Sequence, residues 1–182
     1  MPKIRGNMTY LDHLLEKGIE EANKADLNEP KLKPPDKYEI RQPIRIQFGN
    51  HEEAITSSLS AVMKDVAGDR HKLAINSTWH GEDLEQIAKS DGADIYIFFA
   101  NNITFRHSSK LEIDFGRIQG LIASIKEQTG STVISMASVS VIDMYPESIE
   151  VVRRLSDHFF SMPFKMEDFV NAFEGCLDML PE

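Results

Sequence analysis

The sequence predicts an α/β fold in which a five-stranded parallel sheet lies between two layers of helices, a three-layer sandwich. Three observations carry this expectation. From residue 43 onward, short apolar runs alternate with longer segments of helical periodicity, the pattern of repeated strand–helix units. The run Asp94–Ala100, DIYIFFA, is apolar almost throughout, as a central parallel strand covered on both faces requires. The chain has 182 residues and a single cysteine, Cys176, so its core must come from apolar burial without disulfides, which a domain of this size can supply.

Taken in order, residues 8–23 place Leu11, Leu14, Leu15 and Ile19 at helical spacing, with Asp12, Glu16, Glu20 and Glu21 on the wet side. Pro30, Pro34, Pro35 and Pro43 follow; they forbid a regular helix and read as an extended tether. Residues 1–42 are thus an extension and 43–182 the main domain. Ile44–Phe48 is the first strand. Glu52–Val66 is a helix with Ile55, Leu59, Val62, Met63 and Val66 on one face. Lys72–Asn76 is a second, weaker strand, and Gly81–Lys89 a helix turning Leu84, Ile87 and Ala88 inward. After the Asp94–Ala100 strand, Leu111–Gln128 forms a long helix striped by Ile118, Leu121, Ile122 and Ile125 and ended by Gly130. Thr132–Met136 is the fourth strand. Pro146–Leu155 is a helix opened by a proline suited to its first turn. Asp157–Ser161 is the fifth strand, and Met166–Leu180 the last helix. Right-handed crossovers turn this βαβαβαβαβα order into a doubly wound sandwich of flavodoxin-like build.

Composition narrows the function. Lys and Arg number 20 against 29 acidic residues, a formal net charge of −9. With no local cluster of basic residues, such a surface repels phosphate backbones, so direct nucleic-acid binding is not expected. One cysteine excludes a multi-thiolate zinc site. The histidines His13, His51, His71, His80, His107 and His158 are scattered without a helical i, i+4 pair, so no metal site is expected. Cys176 lies on an apolar helical pattern and reads as a small buried hydrophobe. No apolar stretch approaches the ~20 residues of a membrane span, and the first residues lack the apolar run of a secretory signal. The expectation is a cytoplasmic protein that touches no membrane.

Ligands of such sheets bind beyond the carboxyl ends of the strands. Those ends carry Gly49, Asn50 and His51; Ala100, Asn101 and Asn102; Ala137 and Ser138; and Met162 and Pro163. The set holds amides, a histidine and a hydroxyl, with no carboxylate at the tip of the third strand. Only His51, with Glu52 beside it, offers adjacent titratable groups for acid–base work.

Four segments, in order, resemble the response-regulator receiver domain. DHFFSMPFKMEDFVNAF is similar to its closing strand, Lys-Pro-Phe turn and helix; IRIQFGNHEEAI to its opening strand; GADIYIFFANNI to the strand bearing the phosphoacceptor aspartate; and STVISMAS to the strand ending in Ser or Thr. Together they span residues 43–180. The resemblance implies a signalling module acting on a protein partner, and the departures from it imply lost phosphorylation. Its acidic pair falls on Gly49-Asn50 or Asn50-His51, its phosphoacceptor on Phe99 or Ala100, its lysine on Met162, and its hydroxyl on Ala137 or Ser138. Receiver chemistry needs carboxylates to hold Mg²⁺, another as nucleophile and a lysine to meet the phosphoryl charge.

The expectation is therefore a pseudo-receiver without catalytic residues, cofactor or metal. Its degenerate pocket is formed by Gly49, Asn50, His51, Ala100, Asn101, Ser138, Met162 and Pro163. Protein contact is its mode of action, with the stripe of Leu11, Leu14, Leu15 and Ile19 covered either in a homodimer or by its own domain. Residues 103–113, with Arg106, His107 and Lys110, form either a solvated loop or a lid over the pocket. Trp79 is either a partial core cap or an exposed contact. Two rivals share the topology. An SGNH-like hydrolase would use the turn Phe48-Gly49-Asn50-His51 with Asn101 or Asn102 as oxyanion amide, but no serine stands at its nucleophile position. A cobalamin-binding domain lacks its Asp-x-His-x-x-Gly loop here. A small-ligand-binding role for the carboxyl ends stays open.

Overall fold

A computed structural model describes residues 42–90, 92–106 and 113–180. The helix expected around Leu11, Leu14, Leu15 and Ile19 lies outside the described residues. Five strands, β1 (Ile44–Gly49), β2 (Leu73–Thr78), β3 (Ile95–Phe99), β4 (Thr132–Ser138) and β5 (His158–Met162), form one parallel sheet in the order β2-β1-β3-β4-β5. The helices are α1 (Glu53–Ala67), α2 (Gly81–Ser90), α3 (Phe115–Thr129), α4 (Val139–Met144), α5 (Pro146–Leu155) and α6 (Met166–Met179).

Alternation along β3 explains the two layers. Tyr96 and Phe98 enter one core with Leu84 of α2, Ile118, Leu121, Ile122 and Ile125 of α3, and Ile149 and Val152 of α5. Ile95, Ile97 and Phe99 enter the other with Leu59 and Met63 of α1 and Phe169, Phe173 and Cys176 of α6. Successive side chains of a strand point to opposite faces, so an apolar run with no polar alternation is what a doubly covered strand needs. Burial pushes the Cys176 thiol up to about 11, with the Asp157 carboxylate adding to it, so the sulfur packs as a hydrophobe.

The boundaries differ from expectation in instructive places. β2 runs on to Thr78, paired in register with β1 through Gly49, so it is longer than its weak apolar pattern suggests. β4 continues to Ser138 because Ala137 and Ser138 pair with Ser161 and Met162; β5 accordingly starts one residue late. A short helix, α4, which no periodicity announced, fills the connection ahead of Pro146. It buries no residue fully, so it leaves no apolar stripe to read. Asp114 accepts a hydrogen bond from the Arg117 N–H and caps α3, which begins at Phe115; residues 111–112 lie outside the described residues. Asp94 and Ala100 fall just outside β3. The Asp94 carboxylate instead accepts the Arg45 N–H at 2.7 Å.

The aromatic stretch around β5 packs as core and near-core. Phe169 is fully buried, and Phe160 and Phe164 lean on it with ring centroids 5.9 and 6.0 Å away.

Candidate functional site: an amide cluster at the carboxyl edge

β1 delivers Asn50 at its tip, where its N–H extends the ladder to the Thr78 carbonyl at 3.1 Å. The side chain is almost fully buried, and all its hydrogen-bonding groups are engaged. Nδ2 donates to the Glu52 carbonyl and to Thr56 Oγ1, both at 3.1 Å. Oδ1 accepts from the Glu52 N–H at 3.1 Å and from Asn102 Nδ2 at 2.7 Å. β3 delivers the partner. After Phe99 the chain turns, with the Asn102 N–H on the Phe99 carbonyl at 2.8 Å. The turn lays the buried Asn102 amide against Asn50, and the same Nδ2 also donates to Glu52 Oε1 at 3.0 Å. Asn101 Nδ2 donates to Asn102 Oδ1 at 2.7 Å, while Asn101 Oδ1 is buried and accepts nothing. His51 is exposed, with Nδ1 3.4 Å from the Asn102 carbonyl oxygen.

Of the residues singled out from the sequence, the structure thus joins Asn50, His51 and Asn101, with Asn102 as the hub. Gly49 sits beneath them. A Cβ there would lie 2.6 Å from a Phe98 ring carbon, so the close approach of β1 to that ring requires glycine. Phe99 and Ala100 are fully buried, in opposite cores. Ser138 and Met162 are neighbours in register, but two and three strands from β1, ~10 and ~14 Å away at the usual strand spacing. Ser138 Oγ pairs with Ser140 Oγ at 3.0 Å. Met162 is half-buried and packs against the α1/α6 core; the Met162–Pro163 peptide is cis and Pro163 is exposed. The eight residues therefore lie along one edge of the sheet, spread over the ends of β1, β3, β4 and β5. The eight-residue pocket expected from the sequence leaves out Thr56, and also Asn102 and Glu52, which the sequence places at the tip of β3 and beside His51. An Asn-Asn pair at a strand tip opposite another Asn was the available signal.

The segment after β3 is fastened down. Gly81 N–H donates to the Thr104 carbonyl at 2.8 Å, and Thr104 N–H to the Trp79 carbonyl at 2.9 Å. The Phe105 ring fills the space over Gly81, where an added Cβ would meet it at 2.0 Å. Arg106 Nη2 clasps both Asp83 oxygens at 2.7 and 2.8 Å. The Arg117 guanidinium lies 3.9 Å above the Phe105 ring centroid and donates to Glu82 at 3.0 Å. Burial pushes the Glu82 carboxyl up. Hydrogen bonds from its own N–H, the Arg106 N–H and Arg117, with the Arg117 charge, outweigh that and hold it below the ordinary carboxylate value. Residues 103–106 are therefore a strap over the start of α2, and Arg106 is engaged; His107 and Lys110 lie outside the described residues. Trp79, beside this strap, is exposed, 46% accessible.

No family model and no curated protein matches the chain. Solved structures do. A protein described as a response regulator from Chloroflexus aurantiacus superposes with TM-score 0.53 at 12% identity, covering 75% of this chain and 99% of its own. The chain has the fold of response-regulator receiver domains. The receiver domain of a sensor histidine kinase from Pseudomonas aeruginosa, with a magnesium ion coordinated in its active-site cleft, gives 0.51 at 9% identity over 73% of this chain and 98% of that one. The regulatory domain of a repressor of iron transport regulator gives 0.51 at 13%, over 74% and 94%. Among the described residues, no helix is long and apolar enough to cross a membrane, and no group of three or more His, Cys, Asp or Glu is placed to hold a metal ion.

Proposed function

We propose that this receiver-fold domain is a regulatory module that works by protein contact and does not undergo aspartyl phosphorylation. One observation carries the reading: the tips of β1 and β3 are tied together by neutral amides, Asn50 to Asn102 at 2.7 Å. Phosphoryl chemistry would need carboxylates there. The donor set does not fit a magnesium ion. Asn50 Oδ1 already accepts two N–H groups, and Glu52, the one carboxylate of the cluster, spends Oε1 on Asn102. Met162 supplies no positive charge at the tip of β5. The hydrolase reading gains no support, because both hydrogen-bond contacts of Asn102 Nδ2 are internal and His51 contacts no serine hydroxyl among the described residues.

The partner-binding part of the proposal rests on the sequence. The amphipathic segment with Leu11, Leu14, Leu15 and Ile19 has an apolar stripe that a second copy of the chain would cover, in a cytoplasmic setting. Incubation of the full chain with acetyl phosphate and Mg²⁺, followed by intact-mass measurement, should leave the mass unchanged. A phosphoaspartate adduct would refute the proposal.

A further inference from the structure

A second polar concentration lies away from the amide cluster, between α2 and the strands β1 and β2. On the α2 side of the sheet, β3 and β4 present Tyr96, Phe98, Val133 and Ala137 to the core. On the same side, β1 and β2 present Arg45, Gln47 and Asn76, with Gln47 in register with both Asn76 and Tyr96. A sandwich core asks for apolar residues at such positions. Instead of packing closed, this region holds a cavity of about 330 Å³ lined by Arg45, Gln47, Asn76, Ile87 and Ser90 among others, within the size range of small-molecule sites.

Gln47 is the unusual member. It is only 3% exposed, a rare state for its type. Nε2 donates to the Phe48 carbonyl at 3.0 Å, while Oε1 receives no hydrogen bond from the described residues and keeps some exposure to solvent. Its acceptor therefore opens on the cavity. The Asn76 amide stands one strand over, ~4.8 Å away at the usual spacing. Ser90 Oγ donates to the Ile87 carbonyl at 3.3 Å and keeps its lone pairs for another donor. Among the described residues of the lining Arg45 is the only charged side chain, and Asp94 faces it at 3.8 Å.

We infer that this cavity binds an uncharged nucleobase, free or as a nucleoside. Two carboxamides side by side offer paired donors and acceptors. A single Asn or Gln carboxamide can read the edge of a base bidentately through its N–H and C=O, so Gln47 and Asn76 offer two such groups, and Ile87 supplies an apolar contact for the ring. A phosphate-bearing ligand is disfavoured because Arg45, the one cation among the described lining residues, already faces a carboxylate. The inference is independent of the phosphorylation question, since none of these residues belongs to the Asn50–Asn102 cluster.

Titration of the ¹⁵N-labelled full chain with adenosine and with uridine tests it. At least one nucleoside should cause saturable shifts of the Gln47 and Asn76 side-chain amides. Asn76 is exposed, so Asn76→Leu should keep the fold's spectrum and weaken binding about tenfold, the effect of losing one hydrogen bond. The inference is overturned if neither nucleoside gives saturable shifts, if the shifts centre on Asn50 and Asn102, or if Asn76→Leu leaves the affinity unchanged.

Discussion

At the amino-terminal edge of the sheet, carboxylates do the fastening. Asp94 accepts the Arg45 N–H at 2.7 Å, and Asp157 takes the Val133 N–H at 2.8 Å and Lys126 Nζ at 2.6 Å. At the carboxyl edge, amides do it, with Asn102 bridging Asn50 and Glu52 at 2.7 and 3.0 Å. The difference lies in solvent. Asp94 and Asp157 are about a third exposed, so water still supports their charges while they cap strands. Asn50 and Asn102 are 2% and 4% exposed, where an unpaired carboxylate would be costly and a neutral amide with every group bonded is not. In this fold the carboxyl edge is where charge would serve a reaction. Here the tips of β1 and β3 are joined by amides.

Removing the hub should separate the two edges most sharply. Asn102→Leu removes the hydrogen bonds to Asn50 Oδ1, which keeps only the Glu52 N–H, to Glu52 and to Asn101, and should cost about 1–3 kcal/mol, read as a lower urea midpoint. A loss as small as that of an average surface substitution would mean the amides are incidental. Gly81→Ala comes next. The added methyl meets Phe105, and either the ring or the strap must move, costing about 1–3 kcal/mol and altering the fluorescence of the adjacent Trp79. Unchanged stability and emission would show that the strap is slack.

The amino edge should give the smallest effect and the clearest pH dependence. Burial pushes the Asp157 carboxyl up, but hydrogen bonds from Lys126 and the Val133 N–H, with the Lys126 and His158 charges, hold it below the ordinary 3.8. A carboxyl depressed on folding contributes stability that is present above its unfolded value and is lost as the pH falls through the folded one. Stability should therefore decline below about pH 4. Asp157→Ala should lower stability near neutral pH by only about 1 kcal/mol, because the pair is partly solvated, and should flatten the acid limb. An acid limb identical to that of the parent protein would remove Asp157 from the account.

Much of this was legible in advance for a physical reason. The strand runs and the stripes of α1, α3 and α6 are local periodicities, and the run DIYIFFA alone forecast a strand buried on both faces. α4 escaped because it buries no residue fully. The strap escaped because its contacts join Arg106 to Asp83 and Thr104 to Gly81, residues more than twenty apart whose meeting depends on tertiary structure. The tips of β1 and β3 were located by topology, and Asn50 and Asn101 with them. Asn102 as the hub was not, since a turn decides which of two adjacent asparagines faces inward. Ser138 and Met162 were placed at strand ends as well, and they are neighbours in register on β4 and β5.

The central proposal is that the amides at the carboxyl edge, Asn50 and Asn102, leave no binding site for magnesium. Side-chain amide resonances of Asn50 and Asn102, followed by NMR while Mg²⁺ is added to the full chain, report on it directly. The account predicts slowly exchanging amide protons whose positions do not move with Mg²⁺. Saturable Mg²⁺-dependent shifts of these two amides would contradict it.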